Sequence, residues 1–81
     1  MANEISMKLI RTVGTLSENE KGWKKQLKVI SWNDAKPKYD LRAWNPSEDR
    51  SGKGITMTEE ELRALFEIIR RELISLEEAE K

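Results

Sequence analysis

The segment KYDLRAWNPSEDRSGKGITMTEEELRAL, Lys38 to Leu65, decides the fold of this chain. Its first part, Lys38 to Trp44, alternates polar and apolar side chains, which predicts a strand with one buried face. The polar residues Asn45 to Gly52 predict a loop. Gly54 to Met57 predicts a short further strand. The segment therefore describes two neighbouring antiparallel strands that lead into a helix.

The helix has a well-marked start. Thr58 is a good N-cap, and Glu61 completes a capping box three residues later. Behind the cap, apolar residues recur at spacings of four and three, which predicts a helix with one apolar stripe. The charged residues that follow predict a frayed tail over 76–81. The stripe consists of Leu62, Phe66, Ile69, Leu73 and Leu76, and it is widened by Leu65 and Ile68.

The N-terminal half predicts a hairpin. Ile5, Met7 and Leu9 alternate with polar residues, and the alternation changes phase at Ile10, which predicts a bulge or bend. Turn residues follow, and Trp23 to Trp32 predicts the second strand. We therefore predict an α+β fold: a four-stranded curved antiparallel sheet followed by one C-terminal helix (ββββα), in a single domain spanning 1–81.

The composition excludes several classes of function. The 81 residues contain no cysteine and no histidine, which removes disulfides, thiolate zinc sites and the commonest general base. No Gly-rich phosphate loop is present either. We therefore expect no enzymatic activity, no cofactor and no bound metal. No apolar run approaches the ~18 residues of a membrane span, and Met1 to Ser6 lacks a secretory pattern. We expect a cytoplasmic protein, with nucleoid association as one option.

The net charge of zero conceals an asymmetry along the chain. Residues 1–57 carry 11 Lys/Arg against 7 Asp/Glu, whereas residues 58–81 carry 4 against 8. The basic excess lies in the predicted sheet, where a local positive field favours nucleic acid despite the neutral total. Ordinary helix surface chemistry is the alternative explanation of this split.

The polar side of the predicted sheet combines basic and aromatic residues. Lysine and arginine neutralise phosphates, and tryptophan planes stack on unpaired bases with little sequence preference. Trp23, in contrast, has the parity of the core. Two alternatives stay open: Arg42 pairs only with Asp40, or the lysines merely protect a strand from aggregation. The candidate nucleic-acid-binding residues are Lys21, Lys24, Lys28, Trp32, Lys38, Arg42, Trp44 and Lys53.

The apolar stripe of the helix is broader than one sheet can cover. A domain of this size buries only about 60% of its unfolded surface, and a two-fold dimer would bury the surplus. We therefore predict a homodimer, and a monomer with an exposed apolar helix is the alternative. The candidate dimer-interface residues are Leu62, Leu65, Phe66, Ile69 and Leu73.

One family carries the same series of motifs. The chain resembles the positive cofactor four family of transcriptional coactivators, and in particular its bacterial YdbC-like branch, over Leu27 to Leu73. The matching features are Asp40-Leu41-Arg42, Trp44, Gly52-Lys53-Gly54-Ile55-Thr56 and the capped helix. This resemblance implies a homodimer that binds single-stranded DNA through Arg42, Trp44 and Lys53, with Trp32 near a further aromatic position. Two features depart from the family: Gly52 replaces an arginine, and Trp44 stands alone where the family has paired aromatics.

Together these features predict a binding module. The leading hypothesis is a single-stranded DNA-binding protein of low sequence specificity that assists transcription, replication or repair. Its expected partners are single-stranded DNA and a second copy of the chain, with no membrane and no metal. Single-stranded RNA is a close alternative ligand. A protein-interaction dimer that uses the same aromatic face is the other alternative.

Overall fold

The computed structural model describes residues 6–80, which form four strands and one helix. The elements are β1 (Met7–Glu18), β2 (Lys24–Trp32), β3 (Lys38–Trp44), β4 (Ser51–Met57) and α1 (Glu59–Ala79). The strands form one antiparallel sheet in the order β1-β2-β3-β4. The predicted ββββα order is confirmed. The predicted strand position of Ile5 lies outside the described residues.

Bulges shape the first strand. The 12 residues of β1 pair with the 9 residues of β2, and the register shifts between Leu9 and Arg11, between Thr12 and Gly14, and again further along. Each shift leaves one residue of β1 without a partner in the ladder, and each bulge bends the strand and increases its twist. The change of phase predicted at Ile10 is thereby confirmed, and the sheet is curved. The extra residues are Ile10, Val13 and Leu16.

The fourth strand is longer than its sequence pattern predicts. It begins at Ser51 and not at Gly54, because the pairing with β3 continues to Trp44 opposite Ser51. One extra residue of β4 is absorbed by a register shift between Arg42 and Trp44. Ser51 and Gly52 therefore lie within a strand, where the pattern predicts a loop, and Lys53 belongs to the same strand.

The helix begins as its sequence predicts. The backbone N–H of Glu61 donates to Thr58 Oγ1 at 3.1 Å, and the N–H of Thr58 donates to Glu61 Oε1 at 2.9 Å. Both hydrogen bonds of a capping box are present, so orphan donors at the helix start are satisfied. The expected tail after Leu76 instead continues the helix to Ala79.

The helix packs against β3 and β4 and leaves an apolar hollow beside it. Leu27, Leu41 and Met57 of the sheet line this hollow of about 480 Å³. The helix covers this side of the sheet only in part: Met57 is buried and Leu41 is half-buried, whereas Ile55 on the same side is 57% exposed. Large apolar side chains stay exposed on the single chain, including Phe66 (61%) and Leu73 (54%). The helix residues that line the hollow include Leu62, Leu65, Phe66 and Ile69.

Candidate nucleic-acid interface

The strand register places most of the candidate residues on one side of the sheet. Directly paired residues share a face, and Lys24 pairs with Trp44, while Lys28 pairs with Asp40. Leu27 and Leu41 pair with each other on the other side, next to the helix. The predicted sorting of side chains onto the two sides is confirmed, but the predicted burial is not. Asp40, Lys28 and Trp44 are buried on the polar side, whereas Leu41 on the helix side is half-buried in the single chain. We call the side away from the helix the cationic face; its members are Lys24, Lys28, Trp32, Lys38, Arg42 and Trp44.

Arg42 is held in a fixed position on the cationic face. Its Nε donates to Asp40 Oδ1 at 2.5 Å, and its terminal nitrogen donates to Asp40 Oδ2 at 2.7 Å. Asp40 is fully buried and also accepts a hydrogen bond of 3.1 Å from Thr56 Oγ1. The guanidinium carbon lies 5.3 Å from the centroid of the Trp32 ring. Arg42 therefore pairs with Asp40, as one alternative stated, and also stacks on an aromatic ring.

Lys28 forms a second cluster on the same face. Its Nζ donates to Thr12 Oγ1 at 2.8 Å and to Glu48 Oε1 at 2.7 Å, and it lies 5.2 Å from the centroid of the Trp44 ring. The hydrogen bond from Lys28, followed by the positive charge of Lys28, holds the pKa of Glu48 below its ordinary value. Lys28 and Trp44 are 1% and 4% exposed, so in this arrangement neither side chain presents itself to solvent. Their direct contact with nucleic acid stays a prediction.

The remaining candidate cations are more accessible. Lys38 on β3 and Lys53 on β4 are exposed, as is Lys21 in the turn before β2, and Lys24 is half-buried. Trp32, at the end of β2, is also half-buried. The structure thus brings Lys24, Trp32, Lys38 and Arg42 together on one face. Lys21 and Lys53 lie in the turn before β2 and on the edge strand β4.

A glycine makes room for the Arg42 side chain. Gly54 of β4 pairs directly with Arg42. A Cβ at Gly54 would lie 2.5 Å from the carbonyl oxygen of Leu41 and 2.8 Å from Arg42 Nε. Close approach of neighbouring groups is a common reason for glycine within a strand. In the sequence, Gly54 stands out only as part of a motif, and this role was not predicted.

Thr12 and Glu48 are further residues of the site that were not predicted from the sequence. Thr12 belongs to a pattern of every third residue, Leu9, Thr12 and Thr15, that follows the bulges of β1. Each of the three pairs with a β2 residue on the side of the cationic face. A search for a period of three in the first strand could have found it. Glu48 lies in a polar loop, and no local signal connects it with Lys28.

The predicted dimer-interface residues lie along one side of α1. Leu62 and Leu65 are half-buried, and Phe66, Ile69 and Leu73 are exposed on the single chain. The structure therefore presents an uncovered apolar surface at these positions.

The helix in residues 6–80 does not combine the length and apolar character of a membrane span. Within the same residues, no cluster of three carboxylates suited to a metal ion occurs.

Comparison with known proteins gives a matching family profile and a similar bacterial protein. The sequence profile of the family described as Transcriptional Coactivator p15 (PC4) matches residues 19–68. An uncharacterized protein of Treponema pallidum (strain Nichols) is 42% identical over 67 residues, which cover 83% of this chain and 79% of that protein. The profile match spans β2 to the first half of α1 and so includes all six members of the cationic face. It indicates nucleic-acid binding and a coactivator-like role, and the chain belongs to the Transcriptional Coactivator p15 (PC4) family.

Proposed function

We propose that the protein binds single-stranded DNA through the cationic face, with low sequence specificity, as an accessory factor in transcription, replication or repair. The observation that carries this proposal is the stacking of Arg42 on Trp32, 5.3 Å from guanidinium carbon to ring centroid, on the side of the sheet away from the helix. A planar cation and an indole lie together on this face, and each is a group on which a base can stack.

The lysines around this pair supply the contacts to phosphate. Lys38 is exposed on the same face, and Lys24 lies half-buried on the neighbouring strand. Each phosphate that a lysine neutralises releases bound counterions, which adds affinity that falls with salt. Base stacking contributes about 1–3 kcal/mol per base and accepts any base. A duplex hides its base faces, so this combination favours single strands.

The indole N–H groups of two tryptophans favour the binding of a ligand on this face. Within the described residues, Nε1 of Trp32 and Nε1 of Trp44 are buried and have no hydrogen-bond partner. Buried tryptophan N–H groups usually find a partner. A nucleic acid offers many acceptor oxygens and ring nitrogens to such donors.

The proposal includes a two-fold homodimer. The exposed apolar side chains of α1 face the same side as Leu16 of β1, which is itself 60% exposed and lines the hollow between helix and sheet. A second copy of α1 is an occupant of the required apolar character, and a two-fold axis lets each chain cover the other. Each dimer would then carry two cationic faces.

The test is an anisotropy titration with fluorescent oligo-dT, oligo-U and a duplex of equal length. We expect micromolar or tighter binding to the single strands, weaker binding to the duplex, and affinity that falls linearly with salt on logarithmic axes. Lys38→Ala should lower the magnitude of the oligo-dT salt slope by about 0.7, the value for one phosphate of a single strand. Lys25→Ala is the matched control, because Lys25 is exposed on the helix side.

Two outcomes would contradict the proposal. One is the absence of salt-sensitive binding to either single strand. The other is equal loss in the two lysine variants, which would place the contact elsewhere. A clear preference for oligo-U over oligo-dT would replace DNA by RNA as the ligand.

A further inference from the structure

The Lys28 ammonium is surrounded by groups of two different kinds. Thr12 and Trp44 approach it from the strands β1 and β3, at 2.8 Å from Oγ1 and 5.2 Å from the ring centroid. Glu48 approaches it from the loop between β3 and β4, at 2.7 Å. Strand residues are fixed by the ladder, whereas the loop residue supplies the sole carboxylate at this ammonium within residues 6–80. The Glu48 contact is therefore the one that can open without loss of the sheet.

Glu48 closes the cluster from the solvent side. Its side chain is 43% exposed, whereas that of Lys28 is 1% exposed. The carboxylate thus lies at the entrance and the ammonium behind it. When the carboxylate moves away it enters water, where it is well solvated, so its release costs little desolvation.

The loop can stay folded while Glu48 moves. Asn45 Oδ1 accepts the backbone N–H groups of Asp49 and Arg50, both at 3.0 Å, and the Asn45 carbonyl accepts that of Glu48 at 2.9 Å. These bonds hold the loop through its backbone. The Glu48 side chain has its hydrogen bond with Lys28 alone among the described residues. Glu48 also has a φ of +58°, a region that residues other than glycine, asparagine and aspartate seldom adopt.

We propose that the Glu48 carboxylate occupies the position that a backbone phosphate takes at Lys28 when single-stranded nucleic acid binds. Carboxylate and phosphate oxygens both accept charge-assisted hydrogen bonds from an ammonium group. Exchange of one for the other keeps Lys28 paired throughout, so the buried charge is never left alone. Until the exchange takes place, Lys28 makes no contact with phosphate and Glu48 repels the approaching strand. Glu48 is thus a built-in competitor that lowers affinity for weakly held ligands.

This inference rests on the proposed function, and the Glu48→Gln variant separates the two. The substitution keeps the size of the side chain and an oxygen that can accept from Lys28, but it removes the competing charge. We expect several-fold tighter binding of oligo-dT at low salt, and a salt slope larger in magnitude by about 0.7. Adding Lys28→Met to Glu48→Gln should remove the extra slope.

Asp49→Asn is the matched control. It removes the same charge from the same loop one residue later, but Asp49 Oδ1 accepts from Asn45 Nδ2 at 2.6 Å and from Ser47 Oγ at 2.7 Å, not from Lys28. Equal effects of the two variants, or a Glu48→Gln slope equal to that of the unmodified protein, would overturn the competitor role and leave the proposed function intact. Failure of the unmodified protein and of Glu48→Gln to bind would overturn both. Binding by Glu48→Gln alone would support the competitor role and contradict the proposed function of the unmodified protein.

A measurement on the unmodified protein tests the same inference even when a variant folds poorly. Carbon NMR of the Glu48 carboxyl should show its pKa rising to the ordinary value or above when oligo-dT is added, because Lys28 then turns to phosphate. An unchanged pKa in saturated complex would show that Glu48 stays in place, and would overturn the inference.

Discussion

The guanidinium of Arg42 reaches the ring of Trp32, 5.3 Å from its centroid, although Arg42 pairs across the ladder with Gln26, six residues earlier in β2. The Arg42 side chain therefore runs along the strands and lies flat on the sheet. Asp40, two residues before it, fixes this course through two hydrogen bonds. A stacking surface that is held in place before binding loses less entropy when a base arrives.

Arg42 is expected to matter for stability as well as for binding. Arg42→Ala leaves the carboxylate of Asp40 buried, with Thr56 as its one side-chain partner among residues 6–80. Loss of one partner of a buried ion pair costs about 3–5 kcal/mol. Urea unfolding should show such a loss for Arg42→Ala, and a smaller loss when Asp40→Ala is added. Additive losses in the double variant would contradict the coupling of these two residues.

Gly54 is expected to be required for the position of Arg42. In Gly54→Ala, the added Cβ meets the Leu41 carbonyl and Arg42, so we expect lower stability and weaker oligo-dT binding. Gly52→Ala is the matched control in the same strand, because a Cβ there has open space around it. The control should change the free energy of unfolding by no more than about 0.5 kcal/mol, as at most surface sites. If Gly54→Ala and Gly52→Ala lowered thermal stability and oligo-dT affinity equally, the contact with Arg42 would not be the cause of the losses.

Acid is expected to weaken the loop between β3 and β4. Lys28 lowers the pKa of Glu48 from its ordinary value of 4.5, and hydrogen bonds from Asn45 and Ser47 lower the pKa of Asp49 from 3.8. A carboxyl whose pKa is lower in the folded state stabilises the fold above its unfolded pKa, and this contribution disappears as the pH falls through the folded value. Urea unfolding measured from about pH 6 down to about pH 2 should show this loss of stability. Glu48→Gln should make the loss smaller. Parallel curves for the two proteins would count against the ion pair.

The apolar stripe of α1 is expected to hold two chains together. Phe66→Glu places a charge within the predicted interface, so we expect dissociation to monomers and lower stability. Arg71→Glu introduces the same residue five positions later, about 140° around the helix, and should leave the oligomeric state unchanged. Sedimentation equilibrium over a range of concentrations distinguishes dimer from monomer for the unmodified protein and for each variant. A monomer for the unmodified protein would refute the dimer.

The sequence predicted the helix and the order of strands well, because these depend on local patterns. Thr58 and Glu61 determine the helix start by direct neighbour contacts, and the alternation in β3 determines which face each side chain takes. The extent to which each side chain is buried was not predicted in the same way. Trp44 and Lys28 lie on the predicted face, but Lys28 is covered by Glu48 from a distant loop and by Thr12 from a bulged strand. Parity gives the side of a residue, and only the path of the other elements decides its exposure.

The central claim is that the cationic face receives the nucleic acid. The three tryptophans give it a direct test, since each indole N–H provides one resolved signal in a ¹H–¹⁵N NMR spectrum. We predict that added oligo-dT shifts the signals of Trp32 and Trp44 and changes that of Trp23 far less, because Trp23 precedes β2 with the parity of the helix side. Shifts confined to Trp23 and the amides of α1, or no shift at all, would contradict the claim.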